Sequence, residues 1–307
     1  MTAHNPYSHG GYEQYNAHWK DIQSAQNVSN RVIFTRGHPL LVKQLYQRAY
    51  FQDICSLMGE RRSSAQFLEF GSGRGTTSMY LASEGYDVSL VDRSLEAFRL
   101  ARINFDNEEI DCPEMILTDV ERSGIKSESY DCVFSIGLLE HFEDPRSTLR
   151  ESYRLLKPGG LIFHVIVPAF PLSKMWFHNV LFALLLFAPG NFVFLMRRLS
   201  SRRVARKEAT EKSGKNLLRT NHKRDQYLEW LQELGAAEVR CIPYNPYYVP
   251  NNPYYVPTAR SRIAYKAILF LYAWHLELRK RMKGKRTLLL ETMPMLETCY
   301  LLAGVKP

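Results

Sequence analysis

The sequence predicts an α/β fold in which a parallel sheet is wound by helices on both faces, and three observations carry that prediction. Apolar runs of strand length alternate with helix-length segments from Phe67 to Val167, the rhythm of strand, crossover helix and parallel strand. The first run, Phe67-Leu68-Glu69-Phe70, breaks into the alternating glycines Gly71, Gly73 and Gly75, which let the backbone turn sharply and approach a ligand closely. The second run ends in Asp92, 21 residues beyond Gly71, where an acidic residue on the neighbouring strand can accept both hydroxyls of a ribose.

The glycine loop is not built for phosphate. A dinucleotide loop carries Gly or Ala where this chain has Thr76, and a phosphate-gripping loop needs Gly-Lys-Ser/Thr, which is absent. Ahead of it, residues 1–60 mix aromatics such as Tyr7, Tyr12, Tyr15, Trp19 and Tyr46 with polar residues. Pro39 to Met58 carries apolar positions at helical spacing, so at least one helix is expected there. Its aromatics either pack on the sheet or cover a ligand. His4, His9 and His18 show no metal-ligand spacing.

Beyond the loop, Thr76–Ser83 reads as a helix stopped by Gly85, and Asp87–Asp92 as a strand. Ser94–Phe105 follows as helix, Glu114–Asp119 and Tyr130–Ser135 as strands, and Pro145–Leu156 as helix. A turn at Lys157-Pro158-Gly159-Gly160 leads into the strand Leu161–Val167. Later, Asp225–Leu234 reads as a helix before the strand Ala237–Ile242. Asp92 has a second reading, as the cap of the helix that begins near Leu95.

Glu69 placed before Gly71-Ser72-Gly73-Arg74-Gly75 is the E-x-G-x-G-x-G pattern, and the chain resembles the Rossmann-like (class I) S-adenosylmethionine-dependent methyltransferases. The likeness extends in order over residues 66–168: Asp119-Val120, Ser135-Ile136-Gly137 and Leu155-Leu156-Lys157-Pro158-Gly159-Gly160 each match a family position. Cys299–Val305 resembles the family's last, antiparallel strand, which makes the expected sheet seven-stranded with two helical insertions. The resemblance implies that Glu69, Gly71, Ser72, Gly73, Gly75, Asp92, Arg93, Asp119, Val120 and Ser135 bind S-adenosyl-L-methionine. In that role Glu69 faces the cofactor's ammonium group.

Gly137-Leu138-Leu139-Glu140-His141-Phe142 looks like the segment after the fourth strand in small-molecule methyltransferases, including quinone O-methyltransferases. Some of those bind a divalent metal through E-x-x-E-H. Here Gly137 replaces the first acid, and the two ligands left make a poor site, so no metal is expected. His141 is the candidate general base, since imidazole titrates near neutrality. The competing reading makes Glu140 and His141 a hydrogen-bonded loop start, with methyl transfer proceeding by alignment alone.

The organisation expected is a helical lid segment over 1–60, a core of 61–168, 225–243 and 292–307, and insertions at 169–224 and 244–291. The first insertion opens with Met175 to Met196, which holds no charged residue, and Pro189-Gly190-Asn191 argues against one continuous spanning helix. Arg197 to Arg224 then carries eleven Lys or Arg against Glu208 and Glu211, a local net of +9, equal to the formal charge of all 307 residues. The second insertion opens with a tandem repeat, Asn245–Pro250 and Asn252–Pro257, whose tyrosines either line an acceptor pocket or form a rigid loop. Its apolar stretch Ile263–Leu276 precedes six basic residues between Arg279 and Arg286.

An uncharged segment before a basic one, twice over, predicts peripheral contact with an anionic membrane through 175–224 and 263–286, and a small-molecule or lipid-linked acceptor. The alternative is a cap over the active site with a solvated basic face. Nucleic acid is a weaker candidate because the fourth strand lacks the Asn/Asp-Pro-Pro-Tyr/Phe motif of base methylation. A soluble glycan methyltransferase and a non-catalytic cofactor-binding module complete the alternatives. The polar start and the five scattered cysteines predict no secretory signal and no disulfide framework, hence a cytoplasmic protein.

Overall fold

The structure is a computed structural model that describes residues 16–17, 19–20, 34–59, 64–168, 222–245, 262–282, 288–292, 294 and 297–307. The uncharged run 175–196, most of the basic stretch 197–224, and the Tyr/Pro repeat beyond Asn245 lie outside the described residues.

Helix α1 (Val42–Met58) leads into β1 (Gln66–Phe70), α2 (Thr76–Ser83), β2 (Asp87–Asp92), α3 (Leu95–Asn107), β3 (Glu114–Leu117) and β4 (Tyr130–Ile136). A 3-10 turn (Leu139–His141), α4 (Arg146–Leu155), β5 (Leu156–Ile166), α5 (Arg224–Glu233), β6 (Ala237–Tyr244), α6 (Arg262–Met282) and β7 (Cys299–Val305) complete it. The seven strands form one sheet in the order β3-β2-β1-β4-β5-β7-β6. β7 runs antiparallel to both β5 and β6, and the neighbours among β1 to β5 are parallel.

Strand parity sorts the core into two layers. Phe67 of β1 and Leu161, Phe163 and Val165 of β5 face the layer of α1, α2 and α3. Leu68 and Phe70 of β1 and Ile162 and Ile166 of β5 face the layer of α4 and α5. Central strands are therefore buried on both faces, the reason they read as unbroken apolar runs.

One expected boundary is corrected. Lys157–Gly160 is not a free turn before the fifth strand; it belongs to β5, whose register with β4 breaks between Tyr130 and Cys132. The chain's far end recruits it: Gly159 N–H donates to the Lys306 carbonyl at 2.7 Å and Lys306 N–H to that of Gly160 at 2.9 Å. Lys157 also reaches Asp131, Nζ to Oδ2 at 2.8 Å. Ser94 is the side-chain cap of α3, accepting from Ala97 N–H at 3.2 Å.

A buried carboxylate fastens α1 to the later chain. Asp53 Oδ2 accepts from Tyr244 Oη at 2.8 Å and from Leu290 N–H at 3.1 Å, while Oδ1 accepts from Leu289 N–H at 2.7 Å. Beside it, Asn245 Nδ2 donates to Tyr50 Oη at 2.8 Å, and the Tyr50 and Tyr244 rings stack at 5.9 Å. Asp53→Ala leaves three buried donors without their acceptor, each worth about 1–3 kcal/mol. Its unfolding free energy in urea is expected to fall by at least about 3 kcal/mol, against about 1–2 kcal/mol for Tyr244→Phe.

Candidate active site

The loops that leave the carboxyl ends of β1, β2 and β4 surround a cavity of about 360 Å³. In a wound sheet this is the end at which ligands bind. A second, more open groove at the opposite strand ends, around Gln66, Asp87, Glu114 and Lys157, lies on the side where such sheets do not place their sites.

Gly71 and Gly73 sit at φ +59° and +53°, a left-handed backbone that only glycine adopts without strain. A Cβ on Gly73 would stand 2.5 Å from the Trp19 ring, and one on Gly71 2.5 Å from Leu138. The loop therefore has Trp19 of the N-terminal segment on one side and Leu138 on the other. Asn16 and Ser94 side chains meet at 2.5 Å beside it.

Two carboxylates fix the loop. Glu69, 4% exposed, takes the Ser78 hydroxyl at 2.5 Å and the Ser78 amide at 3.3 Å, in the first turn of α2. Burial pushes its carboxyl up to about 8, against the opposing pull of the Ser78 donors. Asp92 accepts from Gly73 N–H at 2.9 Å through Oδ2 and from Ser94 N–H at 2.8 Å through Oδ1. Burial raises it above the usual carboxylate range, and those amides partly offset the rise. Asp92 thus pins the glycine loop and the entry to α3, while the cap itself is Ser94.

From α1, Lys43 and Gln47 also line the cavity. Burial, and then the neighbouring charge of Arg74, bring the Lys43 ammonium down to about 7. Gln47 Oε1 accepts from Thr77 Oγ1 at 3.2 Å, which ties α1 to the first turn of α2. The cavity thus has acids and bases facing one space, where low dielectric strengthens any charge that a ligand brings.

Of the residues singled out in the sequence, Glu69, Gly71, Ser72, Gly73, Asp92, Arg93, Asp119, Val120 and His141 line this cavity. Gly75 and Ser135 do not. Gly75 lies under the loop, where a Cβ would meet Phe105 at 3.1 Å and Leu90 at 3.2 Å. Ser135 is on the α4 face of β4 and pairs with His164, Oγ to Nδ1 at 2.8 Å. Parity decides this: Ile136, one residue on, takes the cavity side. Burial holds His164 down to about 3, so it is neutral there.

His141 lines the cavity, but Glu140 is not among the lining residues. Their side chains lie 3.9 Å apart, Nε2 to Oε1, and Gly137 gives Glu140 room, since a Cβ there would stand 3.3 Å from Oε1. Trp19, Lys43, Gln47 and Arg74 are cavity residues that no spacing in the sequence marks. Only the aromatic content of the first sixty residues hinted at Trp19.

Residues 68–164 match the family model described as "Methyltransferase domain". The chain is 27% identical over 152 residues to the ubiquinone biosynthesis O-methyltransferase of Escherichia coli O6:H1, a match that takes in 50% of this chain and 57% of that protein. It therefore spans little more than half the length of such relatives. Among solved structures, the magnesium protoporphyrin IX methyltransferase of Synechocystis with bound SAH superposes with a TM-score of 0.51 at 13% identity, covering 96% of this chain and 97% of that one. The cyclase SpnF gives 0.54 at 14% identity, with 96% of each chain covered. At such identities the likeness is one of fold. Residues 68–164 of this chain thus resemble a methyltransferase domain, and the seven-stranded sheet in which they sit has the Rossmann-like (class I) methyltransferase fold.

Proposed function

We propose that the chain transfers the methyl group of S-adenosyl-L-methionine to an oxygen or nitrogen of a small-molecule acceptor, amphiphilic or lipid-linked, met at a membrane surface. The observation that carries the reading is the cavity that Glu69 and Asp92 line together with Lys43 and Arg74. A ligand with an ammonium, a carboxylate and a ribose diol but no pyrophosphate suits that charge pattern. Ser72 Oγ is buried and has no hydrogen-bond partner among the described residues, so a polar ligand atom has a use for it.

When bound, the cofactor supplies a methyl group already activated on a sulfonium sulfur. Glu69, once ionised, receives the ammonium. Lys43 and Arg74 set positive charge against the carboxylate, and Asp92 takes the ribose hydroxyls with the lone pairs its two amides leave over. Asp119 and Val120 border the adenine end. Leu138 and Phe142 exclude water from the acceptor side, and His141 receives the proton that a methylated hydroxyl gives up.

A second reading, cofactor binding without methyl transfer, gains from the likeness to the cyclase SpnF, since one fold hosts several chemistries. Labelled cofactor incubated with fractionated extract separates the two. Label in an amphiphilic small-molecule fraction supports transfer; no label in any fraction, with the cofactor bound, supports the second reading; label in nucleic acid overturns the acceptor class.

Calorimetry with S-adenosylhomocysteine tests the residues. Asp92→Ala is expected to lose about 2–3 kcal/mol of affinity, as both ribose bonds and the loop clamp go. Wild-type affinity in that variant would remove Asp92 from the site.

The affinity is also expected to depend on pH in a bell-shaped way. Glu69 must release its proton to face an ammonium, so affinity falls as pH drops below its value of about 8. Lys43 must hold a proton to face a carboxylate, so affinity falls as pH rises above its value of about 7. Between those values one proton leaves as another is taken up, and affinity is greatest. Beyond them it changes by up to about tenfold per pH unit. Glu69→Gln removes the acid limb and Lys43→Met the alkaline one; a profile flat from pH 5 to 10 would sink both assignments.

Without ligand, Glu69 stabilises the fold only while protonated, because its folded value of about 8 exceeds the 4.5 of a free glutamate. That contribution is lost as pH rises between those values. Gln stays neutral and still accepts from Ser78, so Glu69→Gln is expected to melt above wild type by a margin that grows with pH and levels off past 8. Each kcal/mol relieved raises the midpoint by about 2–4 °C. A margin unchanged between pH 5 and 8.5 in a thermal scan would disprove it.

A further inference from the structure

We infer that α6 is the face by which this protein docks on an anionic phospholipid surface. The inference deepens the proposed reading of an amphiphilic acceptor and takes its purpose from that reading, but its geometry stands apart from the cavity. One side of α6 belongs to the fold: Leu276 is buried, Leu269 and Tyr272 pack against the same core, and the helix lies on α1. The other side is bare. Phe270 is 67% exposed, Leu271 46%, Trp274 57% and Leu278 36%.

These four are half of the large exposed apolar side chains among the described residues, gathered on one helix. Phe270, Trp274 and Leu278 recur every fourth residue and so line up along the axis, with Leu271 beside them. An exposed apolar row of this kind marks a partner surface.

Basic residues at the two ends of that row identify the partner. Lys266 stands one turn before Phe270, Lys280 and Arg281 follow Leu278, all three are exposed, and α6 as a whole holds five Lys or Arg against Glu277 as its one acid. Glu277 lies 3.7 Å from Lys280 and 3.6 Å from Arg281. A second copy of the chain is a poor occupant, because a two-fold interface would set these cations against one another. Anionic headgroups complement it, and Phe, Leu and Trp side chains suit the boundary between headgroup and acyl chain. No helix among the described residues is long and apolar enough to cross a membrane, so α6 lies along the surface.

Flotation of the full chain with phosphatidylcholine vesicles, with and without phosphatidylglycerol, at low and high salt, tests this. Two double variants, Phe270→Ser/Trp274→Ser and Lys280→Glu/Arg281→Glu, change the apolar row and the cationic residues separately on an exposed surface. Wild type is expected to float only with phosphatidylglycerol, less at high salt, and each double variant to bind at least about tenfold more weakly. Circular dichroism and S-adenosylhomocysteine affinity should remain those of wild type, since neither set lines the cavity.

Three results overturn the inference: no flotation at low salt, flotation of both double variants at wild-type level, or a dimer in sedimentation that the same substitutions dissolve while vesicles go unbound. Flotation that depends on α6 in a protein that fails to bind S-adenosylhomocysteine upholds the docking face and removes the proposed chemistry instead.

Discussion

The carboxylate of Asp92 is the constraint on which the site depends. It stands at the end of β2 and takes one amide from the glycine loop, Gly73, and one from the start of α3, Ser94. Two crossover connections that are remote in sequence are thereby held to one point of the sheet. The left-handed backbone at Gly73 turns its N–H toward that carboxylate, and the absence of a side chain leaves room for Trp19. A charge buried this deeply would destabilise the fold if it stood alone; its two backbone donors make it tolerable. Asp92 also lines the cavity, so the group that shapes the loop borders the space open to a ligand.

The second organising point lies on the far side of α1. Asp53 gathers Tyr244 from the end of β6 and the amides of Leu289 and Leu290, which precede β7. Both ends of the second insertion are thus tied to the helix that supplies Lys43 and Gln47 to the cavity. Buried networks of this sort specify one arrangement among many when every member is satisfied. The position of the cavity's helical wall is consequently set by residues 191 to 237 positions downstream of Asp53.

Distance along the chain explains what the sequence made legible. The strands from β1 to β4 and helices α2 and α3 were readable nearly to the residue, because a strand buried on both faces is an apolar run and Ser94, Gly85 and Asp92 punctuate it locally. The Lys157–Gly160 segment reads locally as a turn because its pairing partner, Lys306, lies at the other end of the chain. Lys43, Arg74 and Asp53 left no local signature for the same reason. Ser135 is different: parity was available, since Glu69 shares a side with Phe67 and the matching side of β4 carries Cys132, Phe134 and Ile136. The resemblance points to Ser135, whereas the alternation of β4 brings Ile136 to the cavity.

The charges in the cavity show how function and stability pull against each other. Glu69 and Lys43 are both displaced toward their neutral forms by burial, so the fold holds an acid and a base that are poorly solvated and mutually complementary. Neutral, they do little for stability beyond packing and, for Glu69, the Ser78 bonds. The same exclusion of water that displaces them makes each a strong partner for an opposite charge once one arrives. A solvent-exposed pair would be cheaper to keep and would discriminate less, because exposed ion pairs contribute little. A cavity so preorganised but undercharged would favour a ligand that brings both signs, because an amine or an acid alone would satisfy half of it at the full cost of ionising its partner.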